Sequence, residues 1–259
     1  MKVCILVSVT DPAYFDASTL VFDSLRVGFP TAEVEVWVNP FYKVEETEAK
    51  ARAAGCQKVF RLSKEIHHGR FIADRVEEAE GPLVILDPDC YFLTSCEGWK
   101  FETQLAGFYN PPMWNDWSGC RSVDRLHTSF LWFSDPPELR RRIRQIYPRA
   151  YEAKGEYAPC DPYMPAVRFV RGEPIFWDTC ANLYAMVGGT AFGPKHLACF
   201  GHLNSSSFLE QMAARLDNPK DREVFKWLHS EGLRALPRYH NLLWEVTNRY
   251  YANKATQLK

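Results

Sequence analysis

Through the first ninety residues, short apolar runs rich in Val and Ile alternate with longer stretches whose apolar positions recur every three or four residues. The run KVCILVSV, 2–9, predicts a strand ended by the turn residues of TDP. Residues 17–28 place Leu20, Phe22, Leu25 and Val27 at helical spacing. A second strand is predicted over 33–39, closed by Pro40, and an exposed helix over 43–55 that stops at Gly55. A third strand, 58–62, precedes a polar amphipathic helix over 67–79. The fourth strand, PLVILD at 82–87, has no polar interruption, as expected of a strand buried on both faces. This rhythm predicts parallel βαβ units, an α/β fold whose doubly wound sheet has helices on both faces.

The second half is less regular. PPMWNDWSG, 111–119, reads as an aromatic, turn-rich loop, and HTSFLWF, 127–133, as another strand. A basic helix is predicted over 138–149, a proline-broken segment over 161–174, a helix over 178–187, a turn region over 188–194 and a largely helical tail over 208–248. No repeat, low-complexity stretch or linker divides the chain. The expectation is one domain over 1–259, with a nucleotide-binding-like front half to about residue 95 and an irregular back half from about 96.

Composition changes this picture little. The 259 residues are 46% hydrophobic with a net charge of -1, enough apolar surface for a sizeable core and no overall charge that would advertise a nucleic-acid or membrane-surface partner. Arg140, Arg141, Arg142 and Arg144 gather on the basic helix. An anionic acceptor could use them, but a solvated face is the plainer reading in a near-neutral chain. Eight cysteines, Cys4, Cys56, Cys90, Cys96, Cys120, Cys160, Cys180 and Cys199, show no C-x-x-C pair and no zinc-ligand spacing, so reduced and mostly buried thiols are expected. The apolar start MKVCILVSV is too short for a signal segment, and no run is long enough to span a membrane. A cytoplasmic location without a membrane partner is expected.

The chemistry concentrates where the fourth strand ends. LDPDCYF delivers Asp87 and Asp89 to the carboxyl end of a strand that follows three others, the place where open α/β sheets bind ligands. Two carboxylates one residue apart can both turn toward a hard divalent cation, which often completes its shell with substrate phosphates. The plainer alternative is that they cap a turn around Pro88.

In this order of elements and motif the chain resembles the GT-A glycosyltransferases. The resemblance rests on VSVTDP after the first strand, VWVN in the second, HHGRFIADR in the helix before the motif, LDPDCYF itself, and FGHLNSSSF at 200–208. It implies a GT-A, Rossmann-like fold with a mixed, mostly parallel sheet, and a sugar transferred from a nucleotide sugar, a UDP-sugar being the expected donor, to an acceptor that could be a glycan, a protein, a small molecule or a modified nucleic acid. It implies Mn²⁺ or Mg²⁺ held by Asp87, Asp89 and His202, with Asp87 also near the ribose. Thr10 and Asp11 would border the base and ribose, and Arg70 and Asp74 would face the nucleotide. A lone His such as His202 could equally be a hydrogen-bonded structural residue.

The leaving diphosphate needs its charge neutralised, which a bound dication does as a Lewis acid, with Arg70 or Lys195 in support. Inverting transfer also needs a carboxylate base, for which Asp116, Asp161 and Asp178 are candidates. Asp178 opens a predicted helix and could be only its N-cap, and Trp114 and Trp117 beside Asp116 could hold a sugar ring or plug a core. A haloacid-dehalogenase-like phosphohydrolase would carry its aspartate pair on the first strand. A sugar nucleotidyltransferase would want a glycine-rich loop there, which TDPAYFDAS lacks. A binding protein with this fold and no turnover is the non-enzymatic alternative.

Overall fold

The structure, a computed structural model, describes residues 1–10, 12, 15–110, 112, 114–115, 120–143, 166–170, 172–197 and 199–202. The predicted βαβ rhythm is present. β1 (Lys2–Val7), β2 (Glu33–Val38), β3 (Lys58–Arg61) and β4 (Leu83–Leu86) are mutually parallel in the order β3-β2-β1-β4. α2 (Val44–Ala53) joins β2 to β3, and α3 (His68–Glu78) joins β3 to β4. Because β4 lies on the far side of β1, the chain reverses its direction of travel across the sheet after β3. Right-handed crossovers then put α2 and α3 on opposite faces.

Alternation along the strands divides the core accordingly. Val3, Ile5, Val7, Val84 and Leu86 face one cluster, with Ala51 of α2 and the segment around Val21 and Leu25. Cys4, Leu6, Leu83 and Ile85 face the other, with Phe71, Ile72 and Val76 of α3.

Three further strands extend the sheet beyond β4. β9 (Arg125–Phe133) pairs antiparallel with β4 and with β6 (Leu105–Asn110), and β12 (Thr190–Ala191) pairs parallel with β6. The seven-stranded sheet is therefore mixed and mostly parallel, with β9 alone reversed and helices on both faces, as the GT-A resemblance implies. A four-stranded sheet is ordered β10 (Ala166–Val170), β11 (Glu173–Trp177), β8 (Cys120–Ser122), β7 (Trp114–Asn115). β5 (Cys90–Phe92) pairs antiparallel with β13 (Phe200–His202).

The β6–β9 pairing shifts between Gly107, opposite Leu131, and Phe108, opposite His127, so Thr128, Ser129 and Phe130 fall between paired positions. A Cβ on Gly107 would sit 3.0 Å from the Phe130 carbonyl oxygen and 3.1 Å from Leu126 Cβ, so the irregularity leaves a side chain little room here.

Several predicted elements differ. Residues 17–28 form a 3₁₀ segment, Ala17–Asp23, then a single α-turn, α1 (Leu25–Gly28). The Val21 amide there donates to the Pro88 carbonyl at 2.8 Å, a tertiary bond that competes with a continuous helix. The first strand ends at Val7. The proline-broken segment holds the β10–β11 hairpin, with Pro174 opposite Phe169.

The basic helix, α4, covers 136–143 in its described part. Its arginines are engaged: Arg140 donates to the carbonyls of Val76 and Ala79 at the end of α3, Arg141 pairs with Glu138, and Arg142 donates to Gln104. Arg144 and the predicted tail over 208–248 lie outside the described residues. The described cysteines are all free and, apart from Cys199, buried. No helix among the described residues is long and apolar enough to cross a membrane.

Candidate functional site

Four elements meet where β4 ends. The Asp87 amide donates to the Ser129 carbonyl at 2.9 Å, so the parallel strand runs out against reversed β9 and lies beside His127 and Thr128. A turn follows, closed by the Cys90 amide on the Asp87 carbonyl (3.2 Å) and tied down by the Val21 amide on the Pro88 carbonyl (2.8 Å). β13 then pairs His202 with Cys90, next to Asp89. From the other face, the first turn of α3 supplies His68.

The carboxylates converge on one imidazole. His202 Nε2 lies 3.1 Å from Asp89 Oδ1 and 3.6 Å from Asp87 Oδ2, and both Asp89 and His202 are buried. Burial alone would push the His202 imidazole down, but the charge of Asp89 and the bonds to both carboxylates push it up to about 10. Asp87 shows the reciprocal effect. Its burial opposes ionisation, and His68 and His202 hold its carboxyl well below the usual range. Thr128 donates to Asp87 Oδ2 at 3.3 Å, and His68 Nε2 stands 3.1 Å from Asp87 Oδ1.

His127 behaves differently. Burial and the neighbouring His202 charge push it down to about 3, so the ring is neutral. Its Nδ1 accepts the Ser129 amide at 3.1 Å, which puts its proton on Nε2.

These donors fit a divalent cation. Asp87, His127 and His202 each bring a ligand atom to within 4.8 Å of the others, and Asp89 reaches the same His202 nitrogen. A mixture of imidazole and carboxylate suits Mn²⁺ better than Mg²⁺, which prefers oxygen.

A cavity of about 270 Å³ opens beside this group. His67, His68 and Arg70 wall it from α3, Thr128 from β9, Phe176 from β11, and Asp178 and Thr179 from the start of α5 (Thr179–Val187). Asp178 has both oxygens engaged. Oδ1 accepts the Ala181 amide at 2.7 Å, the predicted N-cap, and Oδ2 pairs with buried Arg125 at 2.7 Å. Arg70 is 61% exposed and pairs with Asp74 one turn on, at 2.8 Å. Thr10 is exposed beyond the end of β1, and Lys195 is exposed on α6 (Pro194–Leu197). Asp11, Asp116 and Asp161 lie outside the described residues.

The structure thus brings Asp87, Asp89 and His202 together and sets Arg70 and Asp178 on the neighbouring cavity. The sequence alone assigns no role to His68 or His127. The doubled histidine of HHGRFIADR was the visible sign of the first. His127 had none, because its place depends on the antiparallel register of β9.

No protein-family model matches the chain, and no curated protein matches it. Among solved structures it is similar to the glycosyltransferase GlyE of Streptococcus pneumoniae TIGR4, at 12% identity and a TM-score of 0.49, over 98% of this chain and 63% of that one. It is similar to the galactosyltransferase LgtC, solved with donor and acceptor sugar analogs, at 10% identity and a TM-score of 0.46, over 94% of this chain and 100% of that one. A third is the mannosyltransferase PcManGT of Pyrobaculum calidifontis, in complex with GDP-Man and Mn²⁺, at 12% identity and a TM-score of 0.44, over 98% of this chain and 75% of that one. At these scores the likeness is distant, and the chain spans under two thirds of GlyE's length.

Proposed function

We propose that this chain is a metal-dependent glycosyltransferase that takes a nucleotide sugar, with UDP-sugars as the expected donors and a hydroxyl group as acceptor. One observation carries the reading: Asp87 and Asp89 leave the carboxyl end of a central parallel strand and converge on His202 Nε2 beside a cavity. Asp87, Asp89 and His202 hold the cation, Mn²⁺ in preference to Mg²⁺. When bound, the cation neutralises charge on the departing diphosphate.

The chain's own groups do the rest. Arg70, exposed at the cavity wall, offers a second positive charge to the nucleotide. Phe176 gives the cavity an apolar wall for a sugar ring, and about 270 Å³ lies near the lower end for small-molecule sites, which suits one ring. His127, neutral with its proton on Nε2, stands beside Asp87 and His202 and is not counted among the ligands. Asp178 acts as an anchor, since a carboxylate that caps α5 and pairs with Arg125 is ill placed to accept a proton from an acceptor.

Hydrolysis of UDP-sugars with Mn²⁺, compared between wild type and Asp89→Ala, tests the reading. Turnover in the wild type that EDTA and the substitution both abolish is expected. Turnover unaffected by either would refute it.

A further inference from the structure

The Asp87 carboxylate is gripped from two sides. Oδ2 faces Thr128 and His202, the cation-binding side, while Oδ1 faces His68 Nε2 at 3.1 Å. That nitrogen is buried, and the Asp87 carboxylate is its ion-pair partner among the described residues. The His68 side chain as a whole is 30% exposed, lines the cavity wall and stacks near Phe71 at 6.4 Å, with 17° between the planes. His68 therefore sits between the cavity and the carboxylate. It stands apart from the tight group of Asp87, His127 and His202.

A carboxylate that binds a cation through one oxygen is better oriented when its other oxygen is held. Groups that hold it so are common, and losing them weakens metal binding by about ten- to a hundredfold. We propose that His68 is the positioning residue for Asp87. It holds Oδ1 so that Oδ2 alone faces the cation. The proposal rests on the metal-dependent reading above. It assigns His68 no direct bond to the cation.

The test is Mn²⁺ binding followed by electron paramagnetic resonance of the free ion, on wild type, His68→Ala and His68→Gln, with thermal unfolding of each. A glutamine amide can reach the place of Nε2 and donate there. His68→Ala is expected to bind Mn²⁺ at least about tenfold more weakly. His68→Gln is expected to recover most of that loss at a similar melting temperature.

Wild-type affinity in His68→Ala, or a glutamine variant as weak as alanine, would overturn the proposal and leave the function standing. A wild type that binds no Mn²⁺ would remove the function and the proposal together. If His68→Ala does not fold, His68→Leu against His68→Gln makes the same comparison with the side-chain volume kept.

Discussion

Asp178 shows how a residue's neighbours decide its role. Its two oxygens are committed to the Ala181 amide and to the guanidinium of Arg125, which is 7% exposed. Removing the carboxylate strands a buried cation and uncaps a helix. Asp178→Ala is therefore expected to lower stability by about 2–4 kcal/mol in denaturant unfolding. Full stability with turnover lost would instead mark Asp178 as the base.

Glu35 offers a pH-dependent counterpart. It is 5% exposed, and one oxygen accepts from Lys2 and Lys58, each at 2.9 Å. Burial opposes its charge, but the two lysines outweigh burial and leave its pKa lowered. A lowered folded pKa contributes stability that is present in full above the unfolded pKa and lost as pH falls through the folded one. Glu35→Gln should cost about 1–2 kcal/mol at neutral pH, with the deficit shrinking as pH falls from about 5 to 3. A deficit constant across that range would contradict this account.

At the scale of elements, the β6–β9 irregularity shapes the site, because it sets Thr128 and Ser129 against Asp87. Gly107→Ala would press a methyl group on the Phe130 carbonyl and displace that segment. A loss of about 1–3 kcal/mol in unfolding experiments is expected, together with weaker Mn²⁺ binding. Unchanged stability and metal affinity would show that β9 can give way.

This element also marks where sequence reading stopped. β1 to β4 with α2 and α3 were legible because their periodicity is local and their ends carry Pro40, Gly55 and TDP. The reversal of β9 was not, since an apolar run looks the same in either direction. The hairpin at β10 and β11 was hidden by prolines, although Pro174 pairs near the turn and outside the β11–β8 register. The 3₁₀ segment at Ala17–Asp23 has helical spacing and loses the α-helix to a tertiary bond made by the Val21 amide. Asp87 and Asp89 could be named because a motif and its strand placed them, and His202 through the GT-A resemblance at FGHLNSSSF. His68 and His127 are joined to them only through packing.

At the scale of the whole molecule, the order β3-β2-β1-β4 turns the carboxyl ends of the parallel strands to one side, and reversed β9 closes that side next to β4. The acidic pair, His68, His127, His202 and the cavity all gather there. The most direct test of the account is isothermal titration of UDP, GDP and their sugars into the purified chain, with Mn²⁺ and then with EDTA. The account predicts that one nucleotide family binds only with metal, and that Asp87→Ala or Asp89→Ala abolishes the heat. No binding of any nucleotide with Mn²⁺ present, or binding indifferent to both EDTA and those substitutions, would contradict it.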